Sequence, residues 1–237
     1  MKFLDIFIED LKYYDSEKIE LKTILKYIKI KNKTLLDIGC GIGRLSFPLS
    51  KYAREVIAVD INRKFNEYFK KHKMKNLRFI NQKAETFSKN GRKFDIILLA
   101  WPTFDFKFLD LIKKVMHKES IFIFITCDNN SDFETIIDSL KDKNKRVYYK
   151  DASNKEKFIK TLPKKFKIIL RKKIKTHYIF PSQKIAFRII KNSLKLWFDI
   201  NFNKKINKKL KGIIYYHKKN EKIVFEEKIY FYLLKLK

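Results

Sequence analysis

Two carboxylates and a cluster of glycines are the residues whose types and spacing point most clearly to chemistry. Three of the five glycines in the chain fall within Asp37-Ile38-Gly39-Cys40-Gly41-Ile42-Gly43. Because a chain this poor in glycine has few positions that require one, the cluster indicates backbone that approaches a ligand closely or takes a positive φ. It follows an apolar segment and precedes a helical one, which is the context typical of a nucleotide site.

Asp60 is the second carboxylate, and it ends the next apolar segment, residues 56–59. A carboxylate at the end of that strand can accept hydrogen bonds from both hydroxyls of a ribose. The glycine spacing is GxGxG, and Asp37 closes the first strand. An acidic side chain is unfavourable beside a pyrophosphate but favourable beside the ammonium and sulfonium of S-adenosylmethionine. The electrostatics therefore favour the methyl donor as cofactor over a dinucleotide.

The run from Leu36 to Arg44 resembles motif I of class I S-adenosylmethionine-dependent methyltransferases, and residues 56–61 resemble their second motif. The similarity extends over residues 34 to about 140. It implies that the glycine backbone approaches the methionine moiety, that Asp60 holds the ribose and that Ile61 packs on adenine. The resemblance as a whole implies a cofactor site formed by Asp37, Gly39, Cys40, Gly41, Gly43, Asp60, Ile61, Ala84, Glu85 and Ala100. For Ala84 and Glu85, which would meet the adenine edge, a solvated loop is the alternative.

Short apolar segments alternate with helical ones through the same region, which predicts a parallel sheet buried on both faces. The predicted strands are residues 34–38, 56–59, 77–80, 96–100, 121–125, 167–176 and 224–234. We expect an α/β, doubly wound, Rossmann-like fold, with a seven-stranded, mostly parallel sheet and an antiparallel edge. The strand order is expected to be that typical of class I methyltransferases.

Helices are predicted on both sides of these strands. They are expected at residues 3–30 (one or two helices), from the glycines through 51, and at 62–73, 108–116, 132–140 and 182–198. We expect a single domain over residues 1–237. Its parts are N-terminal helices (1–30), a donor-binding core (31–140) and a basic C-terminal part (141–237), with a helical cap inserted at about 177–220 before the last strand.

The predicted acceptor side follows the fourth strand, in Ala100-Trp101-Pro102-Thr103-Phe104. In this fold the carboxyl ends of the strands face the ligand. Trp101 and Phe104 are candidates to stack on a planar or cationic acceptor, with core packing as the alternative. The sequence departs from the Asn-Pro-Pro-Tyr of methyltransferases that act on adenine amino groups or glutamine, which disfavours that chemistry. No catalytic base is identified; His177 is a candidate substrate residue, with a bystander role as the alternative.

Charge is unevenly distributed along the chain. There are 56 Lys and Arg against 26 Asp and Glu, for a net charge of +30, and residues 141–237 alone hold 30 basic and 7 acidic side chains. Such an excess indicates a face that meets an anionic partner. The predicted helix 182–198 carries a basic stripe opposite a broad apolar arc that includes Ile189, Leu194 and Trp197. This stripe and the basic residues near it predict guidance of RNA phosphates; they are Lys184, Arg188, Lys191 and Lys195, with Lys164, Lys165, Lys167, Arg171, Lys172, Lys173 and the run 203–211. A cap helix with a solvated basic edge is the alternative, and adsorption to anionic lipid is a third.

These features leave two acceptor classes open, a small molecule under the cap and RNA. A non-catalytic nucleoside-binding protein is the rival outside enzymes, and an intact set of Asp37, Gly39, Gly41 and Asp60 counts against it. The two cysteines, Cys40 and Cys127, indicate neither a disulfide framework nor a metal site. No apolar run is long enough to span a membrane, and early acidic residues argue against a signal peptide. We therefore expect a cytoplasmic protein.

Overall fold

Strands and helices alternate along most of the chain. The computed structural model describes residues 3–102, 107–128, 130–140, 147–198 and 200–237. In these segments the strands are β1 (Thr34–Ile38), β2 (Glu55–Asp60), β3 (Leu77–Asn81), β4 (Phe94–Ala100), β5 (Met116–Cys127), β6 (Phe166–Phe180), β7 (Lys218–Lys219) and β8 (Lys222–Leu236). The helices are α1 (Phe3–Tyr13), α2 (Ile19–Tyr27), α3 (Ser46–Ser50), α4 (Phe65–Lys71), α5 (Ala84–Phe87), α6 (Lys107–Lys114), α7 (Asp132–Leu140), α8 (Val147–Lys165), α9 (Gln183–Phe198) and α10 (Lys204–Tyr216).

The strands form one sheet in the order β3-β2-β1-β4-β5-β8-β6, and β7 pairs with β8 as a short antiparallel addition. The pairs β1–β2, β1–β4, β2–β3 and β4–β5 are parallel. This order confirms the predicted doubly wound, mostly parallel sheet. Because the chain runs outward from β1 first toward β3 and then toward β5, the carboxyl end of β1 is the switch point at which ligands bind in such sheets.

The apolar runs of the sequence explain the central strands. All five residues of β1 are buried, and so are Val56–Val59 in β2 and residues 96–99 in β4. Strands covered on both faces are apolar throughout rather than alternating, because neither face meets water. Asp37 is the exception in β1: it is 3% exposed and pairs in register with Ala58 and Leu98. A charged side chain at such a position needs a reason other than packing.

Contact density divides the chain into two compact units. The core unit comprises residues 21–126, 149–173 and 230–237, and the second unit comprises residues 1–20, 127–148 and 174–229. The core unit has a hydrophobic core around Leu36, Phe94, Phe122 and Phe124. The second unit has its own core, formed by α7, α9, α10 and the first part of β8. The single domain predicted over residues 1–237, with its subdivision, stays a prediction.

Several predicted elements differ from the structure in extent. The helix expected from the glycines through Lys51 is only α3, because turns occupy residues 41–45 before Ser46. The strands expected at 121–125 and 167–176 are longer, since β5 begins at Met116 and β6 continues to Phe180. The structure also contains α8 and α10, which the sequence reasoning did not predict. Among the described residues, no helix combines the length and apolar character needed to cross a bilayer.

The packing of α8 on the core unit yields a stability prediction. Phe158 is fully buried, and its ring centroid lies 5.2 Å from that of Phe124 in β5. Phe158→Ala should lower the free energy of unfolding by about 3–5 kcal/mol, because it removes a buried ring and leaves a cavity. The exposed neighbour Lys157 provides the control, and Lys157→Ala should change stability by about 0.5 kcal/mol or less. Urea denaturation measures both; equal effects would contradict the docking of α8.

Candidate functional site

The turn after β1 is built from three glycines in the left-handed region. Their φ angles are +69° at Gly39, +56° at Gly41 and +79° at Gly43. The amides of Gly39 and Cys40 both donate to the Val59 carbonyl, at 2.8 and 3.2 Å. Side chains other than glycine are strained at such φ values, so the turn requires its glycines. These two hydrogen bonds hold the turn against the carboxyl end of β2.

Gly39 and Gly43 face different surroundings. A Cβ atom at Gly43 would lie 2.7 Å from Cζ of Phe69 and 2.9 Å from ring atoms of Phe47. Those rings stack with centroids 4.9 Å apart behind the turn. A Cβ atom at Gly39 would meet no atom within 4 Å. Gly43 is therefore required for close packing, whereas the turn at Gly39 borders open space that a ligand can enter.

Asp60 links the glycine turn to the end of β2. Its Oδ2 accepts a hydrogen bond from the Gly41 amide at 3.0 Å, and its Oδ1 accepts one from the Asn62 amide at 2.8 Å. An ionised carboxylate offers about four acceptor positions, so capacity remains for a further donor beyond the amides of Gly41, Asn62 and Ile61. Burial raises the pKa of Asp60 above its usual value, while the hydrogen bonds from Asn62 and Gly41 oppose that rise. The carboxylate is held in one orientation and keeps acceptor capacity.

Asp37 is the deepest charged group at the switch point. Its Oδ2 accepts a hydrogen bond from Ser46 Oγ at the start of α3. Burial raises the pKa of this carboxyl to about 6, and the hydrogen bond from Ser46 and the charge of Arg44 only partly offset it. The group is thus mostly ionised at neutral pH but at a cost in free energy. A cationic ligand beside Asp37 would stabilise the ionised form.

The other predicted cofactor residues surround the same strand ends. Cys40 is 9% exposed, and burial raises the pKa of its thiol well above the usual value. Ile61, directly after Asp60, is 64% exposed, so its side chain is accessible to a planar ligand. Ala84 and Glu85 form the first turn of α5 rather than a loop, with Ala84 partly buried against the core and Glu85 exposed. Their cofactor-binding roles stay predictions.

Trp101 adopts a backbone conformation that is rare for a bulky residue. It follows β4 directly, has a φ of +54°, and its amide donates to the Ile125 carbonyl at 2.9 Å. Its side chain is 38% exposed at the carboxyl end of the sheet. Strained conformations of this kind persist where surrounding structure enforces them, often at functional sites. Ala100, which ends β4, is partly buried, and Phe104 lies outside the described residues.

His177 belongs to the second unit, in the part of β6 that follows residue 174. Its Nδ1 lies 3.1 Å from Oε2 of Glu17, and its carbonyl accepts a hydrogen bond from the Asp15 amide at 2.9 Å. These contacts give the ring a structural partner on the N-terminal segment. The role of His177 toward a substrate stays a prediction.

Sequence reasoning missed three polar residues that shape the site. Ser46 donates to Asp37, and the Asn62 amide donates to Asp60. The side chain of Asn81, at the end of β3, donates to the carbonyls of Asp60 and Ile61, both at 2.9 Å. Asn81 thereby fixes the backbone at Asp60, the residue predicted to bind the ribose. A polar residue closing an apolar strand beside Asp60 was the signal available in the sequence.

Comparison with known proteins adds family information to this geometry. A family model described as a methyltransferase domain matches residues 29–180, more than half of the chain. The ubiquinone biosynthesis O-methyltransferase of Pelagibacter ubique is 37% identical over 93 residues, which are 38% of this chain and 35% of that protein. The enzyme of the same name from Coxiella burnetii is 35% identical over 82 residues, covering 33% and 35%. The matched segments span about a third of these curated relatives.

Solved structures resemble the chain over nearly its whole length. The YcgJ protein of Bacillus subtilis superposes with a TM-score of 0.56 at 17% identity, covering 92% of this chain and 98% of that one. The N-methyltransferase NodS of Bradyrhizobium japonicum gives a TM-score of 0.54 at 10% identity, covering 93% and 97%. At these identities the likeness is one of fold.

The raised pKa of Asp37 leads to a prediction about pH and stability. Between pH 3.8 and about 6 the folded chain binds more protons at Asp37 than the unfolded chain, so the contribution of this group to stability falls as pH rises. Asp37→Asn should therefore stabilise the protein above pH 6 by up to about 3 kcal/mol. The gain should shrink toward zero near pH 4. Urea denaturation across this range measures the difference.

Asp95, also in the core unit, provides a control because its pKa is shifted in the opposite direction. Burial alone would raise its pKa, but hydrogen bonds from Thr34 and Lys33 lower it below the usual value. The ionised Asp95 therefore stabilises the folded chain at neutral pH, and this stabilisation is lost in acid. Asp95→Asn should destabilise the protein at pH 7 and much less near pH 3. A gain from Asp37→Asn that did not vary with pH would contradict the assignment to burial of the charge.

Proposed function

The chain belongs to the class I methyltransferase family, and on that premise we propose that it transfers a methyl group from S-adenosylmethionine to an acceptor at the carboxyl ends of its parallel strands. The observation that carries the proposal is a pair of carboxylates, Asp37 and Asp60, at the ends of adjacent strands beside a turn of left-handed glycines. This arrangement suits a ligand that is cationic at one end and carries a ribose at the other.

The residues present fit this cofactor. Asp37, whose charge burial makes costly, would lie near the ammonium and sulfonium, directly or through water. Asp60 keeps acceptor capacity for a ribose hydroxyl, and the open space beside Gly39 admits the methionine moiety. Ile61 would cover the adenine, with Ala84 and Glu85 at its edge. When bound, S-adenosylmethionine supplies an electrophilic methyl group and is released as S-adenosylhomocysteine.

The protein's contribution to the reaction is proposed to be alignment. Because the sulfonium would be a strong leaving group, the donor site itself needs no base, and a hydroxyl acceptor would release its proton to solvent. Holding the acceptor atom, methyl carbon and sulfur in line lowers much of the barrier. Trp101, strained and exposed at the end of β4, is the residue we propose to orient the acceptor by stacking.

Two acceptor classes remain candidates for this site. The names of the curated relatives, which are O-methyltransferases of ubiquinone biosynthesis, favour a small molecule with an acceptor hydroxyl. The charge of residues 141–237 favours RNA instead. We place the small molecule first because the names of the curated relatives point to one, and because the residues proposed to hold the donor lie outside the basic segment 141–237. A binding protein without turnover is the rival outside enzymes, and the intact Asp37, Gly39, Gly41 and Asp60 count against it.

The role assigned to Asp60 can be tested by binding alone. Asp60→Ala should weaken the affinity for S-adenosylhomocysteine by about 1–3 kcal/mol, the scale of a lost charged hydrogen bond. Isothermal titration calorimetry gives the value. Glu156→Ala, which removes an exposed acid paired with Lys160 on α8, should leave the affinity unchanged. An unaltered affinity in Asp60→Ala would remove this carboxylate from the donor site.

A second experiment separates the acceptor classes. Purified protein is incubated with tritiated S-adenosylmethionine and cell extract, and the products are sorted by size before and after ribonuclease treatment. Label in the low-molecular-mass fraction is expected, with loss of that label in Asp60→Ala. Label that ribonuclease converts from large to small would instead establish RNA as the acceptor. Tight donor binding with no transfer to any fraction would favour the binding protein.

A further inference from the structure

A groove between α9 and α10 gathers four lysines around one aromatic ring, all within the second unit. It is a shallow groove, largely open to solvent, with a volume of about 420 Å³, and it is lined by Phe187 and Lys191 of α9 and by Lys204, Asn207, Lys208 and Lys211 of α10. Among the described residues, no carboxylate forms an ion pair with any of these four ammonium groups. Four like charges that converge without a counter-charge are stabilised when an anion binds between them.

Aromatic rings hold two of these lysines in place. The Lys191 ammonium lies 5.6 Å from the ring centroid of Phe187 and 5.4 Å from that of Phe202. The Lys211 ammonium lies 5.5 Å from the same Phe187 ring. Cation–π contacts of this kind reduce the freedom of long side chains. Phe187 therefore draws one lysine from each helix toward the same point, which prepares the groove for a phosphate.

The lysines of α10 continue into an exposed aromatic side chain. Lys204, Lys208, Lys211 and Tyr215 follow one another at i, i+4, i+7 and i+11, so they share one face of the helix. At 1.5 Å per residue this row is about 16 Å long. Tyr215 is 69% exposed. A row of cations ending in a free aromatic face matches the alternation of phosphates and bases in a single strand.

Not every member of the basic stripe predicted on α9 is accessible to a phosphate in the structure. Arg188, one of its members, is engaged with Glu9 through two hydrogen bonds, so it is not available to a phosphate. Most of the apolar arc of α9 is covered, since Ala186, Ile189 and Leu194 are fully or almost fully buried, and Trp197, which is 47% exposed, is its one large exposed member among the described residues. Adsorption to anionic lipid needs an apolar face that can enter the headgroup region. The covered arc favours a nucleic acid over a lipid surface.

We propose that this groove binds a single-stranded segment of nucleic acid. Lys191, Lys204, Lys208 and Lys211 contact successive phosphates, and Tyr215 stacks on a base beyond them. The proposal concerns binding and does not depend on methyl transfer, so it stands or fails separately from the donor site.

Fluorescence anisotropy of the full chain with labelled twelve-nucleotide oligo(U) tests the proposal. With about four phosphate contacts, the affinity should fall roughly fifty-fold between 50 and 200 mM salt. The triple variant Lys191→Gln, Lys208→Gln, Lys211→Gln should reduce the slope of log affinity against log salt by about 2. Tyr215→Ala should weaken binding about tenfold with an unchanged slope, while Tyr215→Phe, which keeps the stacking face, should bind as the unaltered chain does.

The matched control removes the same charge elsewhere. Lys70, Lys71 and Lys113 are exposed lysines of α4 and α6 in the core unit. Their combined change to Gln should preserve affinity to within about twofold. Equal losses in the two triple variants would show that net charge alone attracts the oligonucleotide and would overturn the proposal. So would absence of binding at 50 mM salt, or binding to phosphatidylglycerol vesicles that oligo(U) does not displace.

Discussion

The hydrogen bond from the Gly41 amide to Asp60 is the interaction on which the donor site depends. It ties the turn after β1 to the carboxylate that ends β2, so the element proposed to meet the methionine moiety and the carboxylate proposed to hold the ribose are fixed together. The left-handed φ at Gly41 is what aims that amide at the carboxylate. Asn62 and Asn81 secure the far side of the same bend, through the carboxylate and the backbone respectively. The site is therefore preorganised by backbone geometry and needs little rearrangement when a ligand enters.

The sheet and its switch point were predictable because the physics there is local. Buried parallel strands must be apolar throughout, so their positions and the polar residues at their ends can be read directly. The extent of α3 was not predictable in the same way. Whether a glycine turn passes at once into a helix depends on where Gly43 packs against Phe47 and Phe69, which is a tertiary contact. The strain at Trp101 likewise becomes visible only once the chain is folded.

Two of the helices missed from the sequence, α8 and α10, were obscured for different reasons. In α8 a proline, Pro163, and a largely polar sequence obscure the buried positions Phe158 and Leu162. In α10 the lysines dominate the pattern, yet Asn203 caps the helix through a bond to the Ile206 amide. The apolar residues Leu210 and Ile214, spaced four apart, also indicated a helix with one buried face. A run of charge on one face does not argue against a helix when the opposite face keeps helical spacing.

Burial of an acid does not by itself identify a ligand site, and the contrast among three acids of this chain shows why. Burial, with smaller contributions from the charges of Glu134 and Asp132, raises the pKa of Glu227 to about 8, so this side chain is mostly neutral at pH 7. Burial also raises the pKa of Asp10 to about 6, but Ser193 of α9 and Tyr178 hydrogen bond to it within the second unit. Asp37 differs in its position, near the carboxyl end of the central strand and two residues before Gly39, where the turn borders open space. A charge kept there at a cost in stability is consistent with selection for binding a cation.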